Sequence, residues 1–222
     1  MELPMFPLST VLFPCALLPL HVFEERYRIM IRGCMAGTGN FGVVLIERGS
    51  EVGGGDVRLE RGTVAHIEEL RELGDGRYAL LARGMGRVDI CRWLVDDPYP
   101  MAEIRELGLG EAQSARAAGQ AAAAVSRARA LLSELGETPG VTVAGWRFTS
   151  RPAAPDAAAA QEGGAQGPLS PDLGWQICDA APLGELDRYR LLSIDDADER
   201  LSTLVELCGD VADDTRRLLG GR

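Results

Sequence analysis

From Leu3 to Val22 the chain runs through apolar residues without an acidic or basic side chain, His21 excepted. A run of that length raises the question of a membrane span. Pro4, Pro7, Pro14 and Pro19 argue against one, because each proline inside a helix removes a backbone hydrogen bond and clashes with the preceding turn. The chain opens Met-Glu, with neither a basic n-region nor a convincing small-residue cleavage site, so a signal peptide does not fit either. Prolines are at home in edge or bulged strands, and the run predicts a buried pair of N-terminal strands. The period then changes. Phe23, Tyr27, Met30, Ile31 and Cys34 recur at helical spacing while Glu25, Arg28 and Arg32 fall largely elsewhere. That pattern predicts an amphipathic helix over residues 24–35, stopped by the glycine-containing stretch at 37–40.

Short strands follow. Residues 41–46, Phe-Gly-Val-Val-Leu-Ile, form the continuous apolar run expected of a strand covered on both faces. Residues 49–56, with three consecutive glycines, predict a mobile loop. Ala65 and Ile67 alternate against Glu68 in a strand over 63–70, and Leu-Gly-Asp-Gly-Arg at 73–77 is a hairpin signal. Further strands are predicted over 78–82, 87–91 and 101–106. This pattern, with its one helix, predicts a strongly bent sheet or small barrel. Near residues 108–110 the character changes. An alanine-rich helix is predicted over 111–135, with Ala121, Val125, Leu132 and Leu135 on one side. Residues 141–148 fit either a helix extension or a short strand. The stretch from 149 to about 169 is rich in Ala, Pro, Gly and Gln and predicts a flexible low-complexity insertion. Helices return over 171–181, where Trp175 and Cys178 share a face, and over 183–192. A last helix follows the capping-box-like Asp196-Ala-Asp-Glu199, burying Leu201, Leu204, Val205, Cys208, Val211 and Leu218.

The opening segment resembles the start of the Lon protease N-terminal, or substrate-binding, domain family. Its members begin with a phrase like P-x-F-P-L-x-x-V-L-F-P and continue L-P-L-H-I-F-E-x-R-Y-R. Here the phrase reads Pro4, Phe6-Pro7-Leu8 and Val11-Leu12-Phe13-Pro14, then Leu18-Pro19-Leu20-His21-Val22-Phe23-Glu24, Arg26-Tyr27-Arg28. The likeness continues more loosely to about residue 105 and returns in the C-terminal helices. It implies an α+β fold: a PUA-like six-stranded pseudo-barrel with one helix over residues 1–108, then an all-helical subdomain over 109–222. In full-length Lon proteases such a domain precedes an ATPase module and a serine–lysine peptidase, so the chain is expected to be a stand-alone member without them.

Composition narrows the chemistry. All 23 basic residues are arginine, so the chain has no lysine for a phosphate-binding P-loop or a Ser-Lys dyad, and no enzymatic activity is expected. A net charge of −10 disfavours a nucleic-acid partner, which needs a basic face. The five cysteines, at 15, 34, 91, 178 and 208, are irregularly spaced and contain no close pair for a zinc chelate. They read as reduced thiols of a cytoplasmic protein, and none sits at a helix start beside basic groups that would activate it. Asp195, Asp196, Asp198 and Glu199 are explained by a helix N-terminus without a cation. Gly84-Met85-Gly86 reads as a strand bend rather than a nucleotide site. His66 is expected to point to solvent, and His21 to close a local hydrogen bond at the strand-to-helix turn. No metal and no cofactor are expected.

The resemblance implies a non-catalytic module that recognises unfolded or hydrophobic polypeptide segments, as an adaptor or chaperone-like protein that meets a protease or chaperone. The expected contact residues are Phe13, Leu18, Leu20, His21, Phe23, Arg26 and Tyr27, with proline-limited strands offering an edge for strand addition. The competing reading is a small-molecule sensor or an enzyme using a cleft between the two subdomains. No membrane partner is expected, and the oligomeric state is left open.

Overall fold

The computed structural model describes residues 1–49, 57–135 and 170–220, together with the backbone of 142–143 and 146–147. The readings made for 50–56 and 149–169 lie outside these residues. The chain divides into two compact units, Met1–Leu109 with Val143–Trp146, and Gly110–Thr142 with Arg147–Arg222.

The first unit is a six-stranded mixed sheet wound into a pseudo-barrel. Its elements are β1 (Glu2–Leu8), β2 (Leu17–Val22), helix α1 (Glu25–Ala36), β3 (Asn40–Arg48), β4 (Val57–Glu72), β5 (Tyr78–Trp93) and β6 (Met101–Gly108). The strand order is β2-β5-β4-β3-β1-β6, and an additional β5–β6 ladder closes the sheet on itself. Closure works because β5 is long: residues 78–83 pair with β2, and residues 87–93 pair with β6. Side chains pointing inward build the core from Leu3, Met5, Val44, Val64, Val88, Ile90, Ala102 and Ile104. Helix α1 buries Tyr27, Met30, Ile31 and Cys34, and the Tyr27 ring stacks on Phe6 with centroids 4.1 Å apart.

Two expectations are corrected here. The opening strands do not pair with each other: β1 lies parallel to β3 and antiparallel to β6, while β2 joins β5. Partner choice depends on contacts far along the chain, which an apolar run does not encode. Second, the separate strands expected over 78–82 and 87–91 are one strand of 16 residues. Val64 faces Gly86 and Ala65 faces Gly84, so Met85 is left over as a bulge, and pairing continues past the two glycines. The bend expected at Gly84–Gly86 is thus a β-bulge inside a continuous ladder.

Asp89 of β5 ties three strands together. Arg61 of β4 donates to it at 2.9 Å and Arg105 of β6 at 2.6 Å. Burial alone would push its carboxyl up, but hydrogen bonds and charge from Arg105 and Arg61 outweigh it and hold the carboxyl below the usual range. A lowered carboxyl contributes stability that is present above the unfolded-state pKa, about 3.9, and is lost as pH falls through the folded value. The expected result is that Asp89→Asn flattens the acid limb of the stability–pH curve while costing stability at pH 7. Urea unfolding between pH 3 and 7 measures both effects, and an unchanged acid limb would remove Asp89 from this role.

The second unit is helical: α2 (Ala115–Glu134), α3 (Pro171–Ala180), α4 (Glu185–Ser193) and α5 (Ala197–Gly220). Ser114 caps α2, its Oγ accepting from the Ala117 N–H at 3.2 Å, and the Ser114 N–H reaches Asp198 at the start of α5. The expected cap of α5 forms, with Asp196 Oδ1 accepting from the Glu199 N–H at 2.7 Å. Trp175 and Cys178 are both fully buried. Leu218 is not: it is 63% exposed, because the apolar stripe of α5 runs on past the point where neighbours cover it. Residues 141–148 carry two-residue strands at Thr142–Val143 and Trp146–Arg147.

Candidate functional site

β2 is where the uncharged opening run reaches the surface. The corner that delivers it is fixed by three contacts. The buried Thr63 hydroxyl donates to the Leu12 carbonyl at 2.6 Å, the Cys15 N–H donates to the Gly84 carbonyl at 2.8 Å, and the Gly84 N–H donates to the Ala16 carbonyl at 2.9 Å. Cys15 takes a left-handed backbone, φ 65°, to make the turn. Arg83 closes the outside of the corner, pairing with Glu68 and donating to the Cys15 carbonyl at 3.2 Å.

From this corner β2 runs antiparallel to β5, Leu17 opposite Arg83 and Val22 opposite Tyr78. Among the described residues no strand pairs with its other edge. Successive side chains alternate between faces. Leu18, Leu20 and Val22 share the face of Leu80 and Ala82, which are buried, whereas Leu17, Pro19 and His21 share the face of Ala79, Leu81 and Arg83. Both faces of β2 are therefore apolar. Leu17 is 48% exposed, Leu18, Pro19, Leu20 and His21 are half-buried, and Phe23 at the strand end is 51% exposed. Met85, the bulged residue of β5, is also about half exposed.

The expected contact residues thus divide. Leu18, Leu20, His21 and Phe23 lie together on or beside this edge. Phe13 and Tyr27 are buried in the core, so they support the surface without forming it. Arg26 is held at the start of α1 by Glu24, at 3.2 Å, and its guanidinium lies over the Tyr27 ring at 4.6 Å. His21 Nε2 is buried without a hydrogen-bond partner, so it contributes nothing to the local bond expected of this ring, which sits 6.0 Å from that of Phe23. His66, expected in solvent, meets the Asn40 carboxamide at 2.7 Å instead. Leu17 and Pro19 share this edge but fall outside the expected set. A continuous apolar run hides which of its residues face outward.

Three of the cysteines are buried. Burial pushes the Cys34 and Cys208 thiols up to about 11 and Cys178 up to about 12, away from thiolate character. Among the described residues no group of three or more His, Cys, Asp or Glu side chains could hold a metal ion, and no helix is long and apolar enough to cross a membrane. The helical unit has a separate open groove of about 880 Å³ between α2 and α5, lined by Arg116, Gln120, Arg127, Asp198 and Ser202 beside small residues.

Comparison with known proteins adds a family to this geometry. A family model described as the ATP-dependent protease La (LON) substrate-binding domain matches residues 2–208. Lon protease 2 of Herpetosiphon aurantiacus is 35% identical over 108 residues, which are 47% of this chain and 13% of that protein. The chain therefore spans only a small part of the length of this relative. The crystal structure of a Lon N-terminal domain protein from Xanthomonas campestris superimposes with a TM-score of 0.61 at 26% identity, covering 93% of this chain and 98% of the other. The N-terminal domain of a Mycobacterium avium complex Lon protease, TM-score 0.60 at 18% identity over 95% of this chain and 99% of its own, shares the fold.

Proposed function

The chain belongs to the Lon substrate-binding domain family, and from that premise we propose that it binds unfolded or hydrophobic polypeptide segments, without chemistry of its own, as an adaptor or chaperone-like module in protein quality control. The observation that carries this reading is β2, an uncharged edge strand with apolar side chains on both faces and Leu17 and Phe23 half exposed. An apolar surface of that kind, on a chain with 25% charged residues, is a docking feature rather than ordinary surface. Folded partners bury their apolar residues, so such a surface discriminates in favour of chains that have not folded.

The test is affinity for a permanently unfolded polypeptide, reduced and carboxymethylated lactalbumin, measured by fluorescence anisotropy. Leu17→Asp and Phe23→Asp place carboxylates on this surface at positions exposed enough to leave the fold intact. Each is expected to weaken binding about tenfold, since losing the burial of one large apolar side chain is worth about 1.5–3 kcal/mol when complete. Val95→Asp, at a position 83% exposed and off this edge, is the control and leaves affinity unchanged. Wild-type affinity in both edge variants would refute the assignment.

A further inference from the structure

The edge of β2 that no strand pairs with among the described residues specifies more than an apolar partner. Because Gly84 donates to the Ala16 carbonyl, the alternation of an antiparallel ladder puts Leu18, Leu20 and Val22 in the hydrogen-bonded pairs with β5. The main-chain groups of Leu17, Pro19 and His21 then point the other way, toward the open edge. These are the carbonyls of all three residues and the N–H groups of Leu17 and His21, since Pro19 has none. We propose that the occupant of this edge is an extended polypeptide strand, uncharged along its contact, which adds to the sheet through main-chain hydrogen bonds to Leu17, Pro19 and His21. This rests on the reading of β2 as the binding surface and names the form that its ligand takes.

Three features lead to this occupant. A row of backbone donors and acceptors at strand spacing is matched by another strand, whereas an apolar side-chain surface alone accepts any greasy shape. The open row has defined ends: Arg83 occupies the Cys15 carbonyl on one side, and on the other the strand ends at Val22 and the chain turns into α1, whose first bond runs from the Arg28 N–H to the Glu24 carbonyl. The contact therefore runs from Leu17 to His21, on the order of 16 Å of strand. Charge fits the same window. The Glu68–Arg83 pair marks one end, with Arg83 opposite Leu17, the charges of α1, where Glu25 meets Arg28 and Arg32, begin only past the other, and β2 itself carries no acidic or basic residue apart from His21. A strand laid there buries uncharged residues along the edge and tolerates charge only beyond it.

Pro19 also argues against a second copy of this chain. In an antiparallel β2–β2 pairing centred on Pro19, the two prolines face each other and neither supplies a donor. A strand with its own amide opposite Pro19 donates to the proline carbonyl and recovers a bond that the symmetric pair lacks.

The probe is a fluorescein-labelled, end-blocked seven-residue peptide of alternating valine, threonine and phenylalanine, with analogues N-methylated at single positions. Measured by anisotropy on the full chain, N-methylation at every second position is expected to weaken binding tenfold or more, while methylation at the intervening positions leaves it unchanged. His21→Pro, which deletes an edge N–H, weakens the unmethylated peptide, and His21→Ala does not. Equal binding of all methylated analogues, with Leu17→Asp still weakening it, would keep the site and overturn the strand-addition mode. Peptide binding indifferent to Leu17→Asp would instead bring down the site assignment itself. A dimer whose formation excludes the peptide would make a second copy the occupant and overturn the proposal.

Discussion

Replacing Gly84 with alanine is expected to destabilise the β-rich unit by about 3 kcal/mol or more and to abolish the proposed polypeptide binding with it. A Cβ built on Gly84 falls inside the van der Waals sphere of the Phe13 carbonyl oxygen and within 3.1 Å and 3.2 Å of the Phe13 carbonyl carbon and the Pro14 Cα. The obstructing atoms are backbone, so no rotamer change relieves the clash. The backbone cannot retreat cheaply either. Gly84 is bonded on both sides to this corner, through Cys15 and Ala16, and the preceding Leu12 carbonyl is fixed by Thr63. Moving the corner away from β5 breaks these bonds, exposes Phe13, which is wholly buried, and pulls β2 out of register. Gly74→Ala, in the β4–β5 turn with no atom within 4 Å of the added Cβ, is the matched control and changes stability little. Urea unfolding gives the loss, and hydrogen exchange with mass spectrometry shows whether it is confined to residues 1–109. A Gly84→Ala protein as stable as wild type would show that the corner is not fixed as described.

The same corner explains how far the sequence could be read. Its apolar run, its prolines and its phrase in common with the Lon domain were legible, because each is a local property of consecutive residues. That β1 and β2 go to different partners was not, since β3, β5 and β6 come from residues 40–108 and no local signal names them. The mixed sheet closed by β5–β6 matches the α+β fold that the likeness implied. Within the site, Leu18, Leu20 and Phe23 were recognisable as apolar, but the division into core and surface was not. Phe13 and Leu17 look alike in sequence and differ in the structure because one lies under the corner and the other beyond it. The bend at Gly84-Met85-Gly86 was legible, but that one strand continues through it was not: glycine marks bulges and strand ends alike, and only the partner strand decides. Arg188 and Arg200 went unnoticed altogether, since arginine is ordinarily a surface residue; here both are buried in the helical unit.

That burial sets the other large effect. Asp179→Ala is expected to cost the helical unit about 3–5 kcal/mol. Asp179 lies near the end of α3 and Arg188 in α4, across the break made by Pro182, and Arg188 Nη2 donates to Asp179 Oδ1 at 2.9 Å. The Arg188 side chain is only 2% exposed and that of Asp179 11%, so water replaces neither partner. Glu185 reaches Arg188 at 3.7 Å but is itself 36% exposed, a weaker counter-charge. Nearby, Arg200 is fully buried with its guanidinium 3.8 Å over the Trp175 ring, donating to the Ile194 carbonyl at 3.0 Å. Both arginines and Asp179 act on the buried Cys178 thiol, which places all three charges in one neighbourhood. Removing the carboxylate therefore leaves two guanidinium groups in an apolar interior with less negative charge to face. The cost belongs mostly to the buried cation, whose charge is then less well balanced, rather than to the lost attraction, and that distinction is measurable. The double variant Asp179→Leu with Arg188→Met, which removes both charges and fills the space, is expected to recover most of the loss. Urea unfolding of the two single variants and the double gives the coupling; a loss below about 1 kcal/mol for Asp179→Ala would mean that solvent reaches Arg188 after all.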